Sequence, residues 1–160
     1  MQDHPRLQRL SAALYWVALA LSVLLPIIVL VYAGKGVSDP ASLLSRAPLV
    51  PAGTPVTSLQ AGLVAALALI SVLPMVAALR RMVQLFGAYR DGEVLSRDNA
   101  DTILRIGRNL LIVAAFTVLV PTLQTLILSW SAAQRMLSIR LDQGTLGFLM
   151  AAGLLTVIGW

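Results

Sequence analysis

Residues Leu85–Arg108, LFGAYRDGEVLSRDNADTILRIGR, form the one long polar stretch between two very apolar halves of a 160-residue chain. The stretch holds four of the seven acidic residues, Asp91, Glu93, Asp98 and Asp101, and four arginines, Arg90, Arg97, Arg105 and Arg108. Arg80 and Arg81 stand just ahead of it. What lies on either side decides the fold.

Hydrophobic residues make up 58% of the chain and charged residues 12%, and the mean hydropathy is +0.85. That leaves too few polar side chains to cover a water-facing globule. Four apolar runs, at 11–33, 58–79, 109–130 and 144–160, approach or exceed the roughly 18 to 20 residues with which a helix crosses hydrocarbon. Strand alternation is missing, which argues against a membrane β-barrel. The expectation is an all-α polytopic membrane protein, a single domain over 1–160. It is an antiparallel bundle of four transmembrane helices, with external loops at 34–57 and 131–143 and a cytoplasmic helical hairpin at 80–108 between spans two and three.

Charge sets the orientation. Arg6, Arg9, Arg80, Arg81, Arg90, Arg97, Arg105 and Arg108 fall on one side of these spans, Lys35, Arg46, Arg135 and Arg140 on the other. The excess of Lys and Arg belongs in the cytoplasm, so the N-terminus and the central segment are expected there. Tyr15 and Trp16 then mark the inner boundary, Tyr32 and Trp130 the outer one. The net charge of +5 is topogenic on this reading, and no direct nucleic-acid binding is expected, because the charges flank apolar runs instead of gathering on a soluble face. The first run is longer than the core of a secretory signal, about 7 to 15 residues, and reads as a retained helix. The fourth run ends at Gly159-Trp160 with no basic anchor, which suggests that a cytoplasmic tail has been removed.

Three runs repeat a hydroxyl three or four residues before a proline: Ser22 with Pro26, Ser71 with Pro74, Thr117 with Pro121. Proline frees a carbonyl one turn back, and a nearby hydroxyl can help satisfy the freed groups within lipid. Kinks are expected at Pro26, Pro74 and Pro121. The pairs Ala61/Ala65, Gly62/Ala66 and Gly147/Ala151 have small-xxx-small spacing, which lets helices approach closely in a compact bundle or a homo-oligomer.

Within the central stretch the caps are legible. Apolar residues continue past Arg81 as Val83, Leu85, Phe86 and Tyr89, so the second helix should run on until Gly92 ends it. Ser96 is a good N-cap for the next helix, and Asp98 suits the positive end of its dipole. Leu95 and Ala100 occupy staple positions, while Asn99 stands where a full capping box would have Glu or Gln. Ala100, Ile103, Leu104, Gly107 and Leu111 share one face, with Arg97, Asp101, Arg105 and Arg108 opposite. Asp101 and Arg105 are in the favourable i,i+4 order. Uninterrupted to Trp130, this helix would be about 50 Å long.

These residues resemble the signature of a bacterial membrane family, domain of unknown function 2975, in which L-F-x-x-Y-x-x-G-E-x-[FL]-[ST]-x-[DE]-N joins the second and third of four spans. The match lies at Leu85, Phe86, Tyr89, Gly92, Glu93, Ser96, Asp98 and Asn99, followed by Leu104, Arg105, Ile106 and Gly107. Leu95 stands where relatives usually have Phe. The resemblance implies a bacterial plasma or inner membrane location and a four-span layout for the whole chain. Since relatives are often encoded beside a small helix-turn-helix regulator, it also implies such a regulator as a cytoplasmic partner.

An enzyme is not expected. No cysteine occurs, the single histidine, His4, sits beside Pro5 in the tail, and no carboxylate lies inside an apolar run. No catalytic, metal or cofactor site is read from the sequence. The leading expectation is an interaction or regulatory protein whose segment around Arg80, Arg81, Arg90, Arg97, Asp101, Arg105 and Arg108 engages a cytoplasmic partner, or anionic lipid as a simple connector would. Gly92, Ser96 and Asp98 shape it. The alternative is a small-solute transporter or channel subunit with proline-kinked helices, for which Gln60, Thr122, Gln124 and Thr125 are the polar candidates; coupling to ions usually needs an ionisable group at membrane depth.

Overall fold

The computed structural model describes residues 5–46, 50–51, 54–93, 96–132 and 143–160. Among these there is no strand. Helix α1 is Pro5–Ser38, α2 is Ser58–Arg90, α3 is Arg97–Leu128 and α4 is Gln143–Ile158, with 3-10 turns at Pro40–Arg46 and Ser129–Ser131. Three of the helices, α1, α2 and α3, are long and apolar enough to cross a membrane, whereas α4, with 16 residues, is shorter.

The first loop begins later than the composition of 34–57 suggests. α1 continues through Gly34 to Ser38, and Pro40 opens a short 3-10 turn where Asp39-Pro40 announces a surface helix. Thr57 then starts α2 with a complete capping box. Its hydroxyl accepts from Gln60 N, and Gln60 Oε1 accepts from Thr57 N. α3 runs unbroken for 32 residues and tightens into 3-10 geometry at Ser129. His4, Leu95, Arg135 and Arg140 lie outside the described residues.

Neighbouring helices run side by side in opposite directions. Tyr15 near the start of α1 lies against Gly87 near the end of α2. Gln60 at the start of α2 donates to the Ile127 carbonyl at the end of α3, at 2.9 Å. Ala78 and Leu85 of α2 share a buried apolar cluster with Ile106 and Leu110 of α3 and Ala152 of α4. A second cluster joins Val50, Val64 and Leu128 at the other end. The first of these cores is built from α2, α3 and α4; α1 packs against α2 and the Pro40–Arg46 turn.

Pro26, Pro74 and Pro121 all lie inside continuous α-helices. The hydroxyls that precede them do not serve the carbonyls the prolines free. Ser22 donates to Leu19 O, Ser71 to Ala68 O and Thr117 to Ala114 O, each one turn further back along its own helix. The sequence echo is real, but it relieves other carbonyls.

The small-residue pairs divide: Ala61 is buried inside the chain, whereas two of the glycines are not at contacts within it. A Cβ added at Gly62 or Gly147 would meet nothing within 4 Å, so neither glycine lies at a helix contact of this chain. The close approaches are at Gly107 and Gly159. A Cβ at Gly107 would sit 2.7 Å from Thr156 Oγ1 and 3.0 Å from Thr156 N; one at Gly159 would sit 2.6 Å from Leu104 N. These glycines let α4 lie directly on α3, where Thr117 and Thr145 hydroxyls also meet at 3.0 Å. α4 thus begins beside the middle of α3 and ends beside its first turns.

Candidate functional site

The polar stretch folds into two helix ends and the connection between them. α2 stops at Arg90 because Gly92 takes φ +91°, a left-handed conformation costly for a side chain with a Cβ. With Asp91 as C-cap, Gly92 N donates to Tyr89 O and Glu93 N to Ala88 O, the two bonds of a Schellman ending. Ser96 caps α3 by accepting from Asn99 N at 3.2 Å. Asn99 is buried, and its side-chain amide donates to the Glu93 carbonyl. It ties the connection back to α3, a role the missing capping-box residue did not announce.

The candidate residues are exposed together at this end. Arg80, Arg90, Arg97, Asp101, Arg105 and Arg108 are exposed, as are Asp91, Gly92, Glu93 and Asp98, while Arg81 is half-buried. Arg105 Nε donates to Asp101 Oδ2 at 2.7 Å, and Arg90 Nε to Asp91 Oδ1 at 3.3 Å. Both pairs face water and contribute about 0.5 kcal/mol or less each. Arg90 also lies over the Tyr15 ring, 5.2 Å from its centroid, and Tyr15 meets Trp16 edge-on. Ala100, Ile103, Leu104 and Gly107 face inward as their spacing predicts; Leu111, assigned to the same face, is 40% exposed.

The level of these residues follows from the pairing of helices. Arg80 lies 20 residues along α2 from Gln60, and Arg108 lies 19 residues back along α3 from Ile127. At about 1.5 Å per residue, both arginines stand roughly 30 Å from the Gln60–Ile127 bond. Between the two levels the outward residues Leu63, Ile70, Leu73, Ile112, Leu119 and Leu126 are apolar and exposed. Counting likewise from Tyr15 against Gly87, Arg80 is level with Ser22. Leu10, Leu14, Trp16, Val17 and Leu21 of α1, all exposed, therefore flank the charged end of α2.

Polar side chains within the apolar runs are mostly satisfied locally. Thr122 and Thr125 donate to Val118 O and Pro121 O of their own helix. Gln60 bonds across helices, to Ile127 O and to Ser131 Oγ. Among the described residues no three His, Cys, Asp or Glu side chains gather as a metal site.

No family model matches the chain, and neither a curated protein nor a solved structure matches it. The resemblance of Leu85–Gly107 to domain of unknown function 2975 stands on those residues alone.

Proposed function

We infer that the chain is an integral membrane protein whose α2–α3 end engages a protein partner in the cytoplasm. The carrying observation is the separation of two polar levels. Gln60 with Ile127, and Arg80 with Arg108, stand roughly 30 Å apart along helices whose outward faces between them are apolar. That is about the thickness of bilayer hydrocarbon. The charged helix ends lie beyond the arginine level, with the Schellman ending closing α2, the Ser96 cap opening α3 and Asn99 bonding back to Glu93 O. Beside it α1 offers Leu10, Leu14, Trp16 and Val17, apolar surface of the kind that marks interaction sites when it stands outside lipid.

On this reading the arginine-rich end and the N-terminus are cytoplasmic. α4 is the fourth and shortest helix of a four-helix bundle, and the end of α2 with the start of α3 forms a helical hairpin. Membership of domain of unknown function 2975 is part of the proposal, and with it a bacterial inner-membrane location and a helix-turn-helix regulator as the partner. The transporter alternative draws less support, since Thr122 and Thr125 are engaged by carbonyls of their own helix.

Photo-cross-linking from position 97 in intact cells tests the partner. One protein adduct is expected, lost on charge reversal of Arg105 and Asp101. An adduct spectrum indifferent to that reversal, or no adduct at all, would end the docking proposal.

A further inference from the structure

The arginines of the charged end fall into two groups by pairing and level. Arg90 and Arg105 each hold a carboxylate, and Arg97, which is in neither pair, stands about three turns beyond Arg108 at the start of α3. Arg80, Arg81 and Arg108 have no ion pair among the described residues, and they stand at the level where the outward faces change from apolar to charged. On α3 the change is abrupt: Arg97, Asp101 and Arg108 continue at helical spacing into Ile112, Leu119 and Leu126, all exposed. On α2, exposed Ile70 and Leu73 precede Arg80 by two to three turns. The two helices therefore set the same boundary independently.

We propose that Arg80, Arg81 and Arg108 bind the phosphate groups of anionic phospholipids, so that the protein gathers acidic lipid around its α2–α3 face. The inference rests on the spanning reading above and assigns these three arginines to lipid, leaving Arg90, Arg97 and Arg105 to the partner. Three features carry it. A guanidinium presents paired N–H donors that match phosphate oxygens. An arginine stem can lie along apolar surface while its head reaches water, which suits a residue at the end of an apolar stripe. And three cations without protein acids make a headgroup of opposite charge the complementary occupant. A basic residue at such a surface favours anionic lipid about fivefold.

The test uses the full chain in bilayer discs of equal parts phosphatidylcholine and phosphatidylglycerol, with the lipids retained after extraction quantified by mass spectrometry. The wild type is expected to retain phosphatidylglycerol well above its bulk share. The Arg80→Gln/Arg81→Gln/Arg108→Gln variant should fall severalfold towards that share, and Arg90→Gln/Arg97→Gln should keep the wild-type ratio. Single Arg108→Gln, at an exposed site, should give an intermediate value and guards against misfolding of the triple variant. Added inorganic phosphate at matched ionic strength should leave the ratio unchanged; displacement by it would make this a free-anion site and overturn the lipid assignment. Equal ratios for wild type and triple variant would overturn it too. The spanning reading is checked separately by thiol labelling, described below, so the two can fail independently.

Discussion

Gln60 donates one amide hydrogen-bonding group to the Ile127 carbonyl across the α2–α3 contact while its oxygen accepts from Thr57. One buried side chain therefore caps one helix and fastens it to the last turn of the next. Ile127 and Ser131 lie 67 and 71 residues away in sequence, so this bond belongs to the tertiary fold.

Gln60→Leu keeps the volume and deletes every one of these bonds. It should cost about 1 to 3 kcal/mol, mostly from leaving the Ile127 carbonyl without its donor, since Thr57 and Ser131 are exposed to water. Reversible unfolding in mixed micelles would measure it. A variant as stable as wild type would mean that the clamp contributes nothing.

Gly107→Ala and Gly159→Ala should loosen α4 from α3, because the added methyl meets backbone at 3.0 Å and 2.6 Å respectively. Overpacking of this kind costs about 1 to 3 kcal/mol. Gly62→Ala and Gly147→Ala, which meet nothing, should be neutral or stabilising, by up to about 1 kcal/mol from helix propensity. Thermal unfolding of the four variants side by side tests the contrast; equal behaviour of all four would mean that α4 does not lie closely on α3 at Gly107 and Gly159.

At the connection, Gly92→Ala forces a side chain into φ +91° and should cost about 1 to 2 kcal/mol. Ser96→Ala removes the α3 cap and should cost about 1 kcal/mol. Amide exchange at residues 96–100 should accelerate in both variants while residues 110–114 stay protected; uniform acceleration would show that the turn is not a local unit.

The chain has no cysteine, so single thiols can report sidedness without background. Ser58→Cys and Gln84→Cys, both exposed and on either side of the apolar stretch of α2, should react with a membrane-impermeant maleimide from opposite faces of sealed vesicles. Labelling of both from one face would sink the spanning reading.

The features legible in the sequence were those decided within a few residues. Gly92 as a helix end, Ser96 as an N-cap and the Asp101–Arg105 pair depend on local backbone chemistry, and each is found where its neighbours predict. Gln60 was recognisable as a polar residue at the edge of an apolar run, but its cross-helix partner was not. The contacts of Gly107 and Gly159 stayed hidden, because small residues recur at the same spacing where nothing packs, as at Gly62 and Gly147. Exposure of Leu111 was missed for a related reason. Where nearly every residue of a helix is apolar, periodicity no longer says which side meets protein and which meets lipid. The hydroxyl–proline echo shows the limit of reading function into spacing, since Ser22, Ser71 and Thr117 each found a different carbonyl.

The bond from Asn99 to the Glu93 carbonyl, together with the Schellman bonds, joins the end of a 33-residue helix to the start of a 32-residue one. Fastened also at their far ends by Gln60, they form a frame closed at both ends. A pull on Arg97 at one end of this frame would be carried along α3 to the Gln60–Ile127 bond at the other.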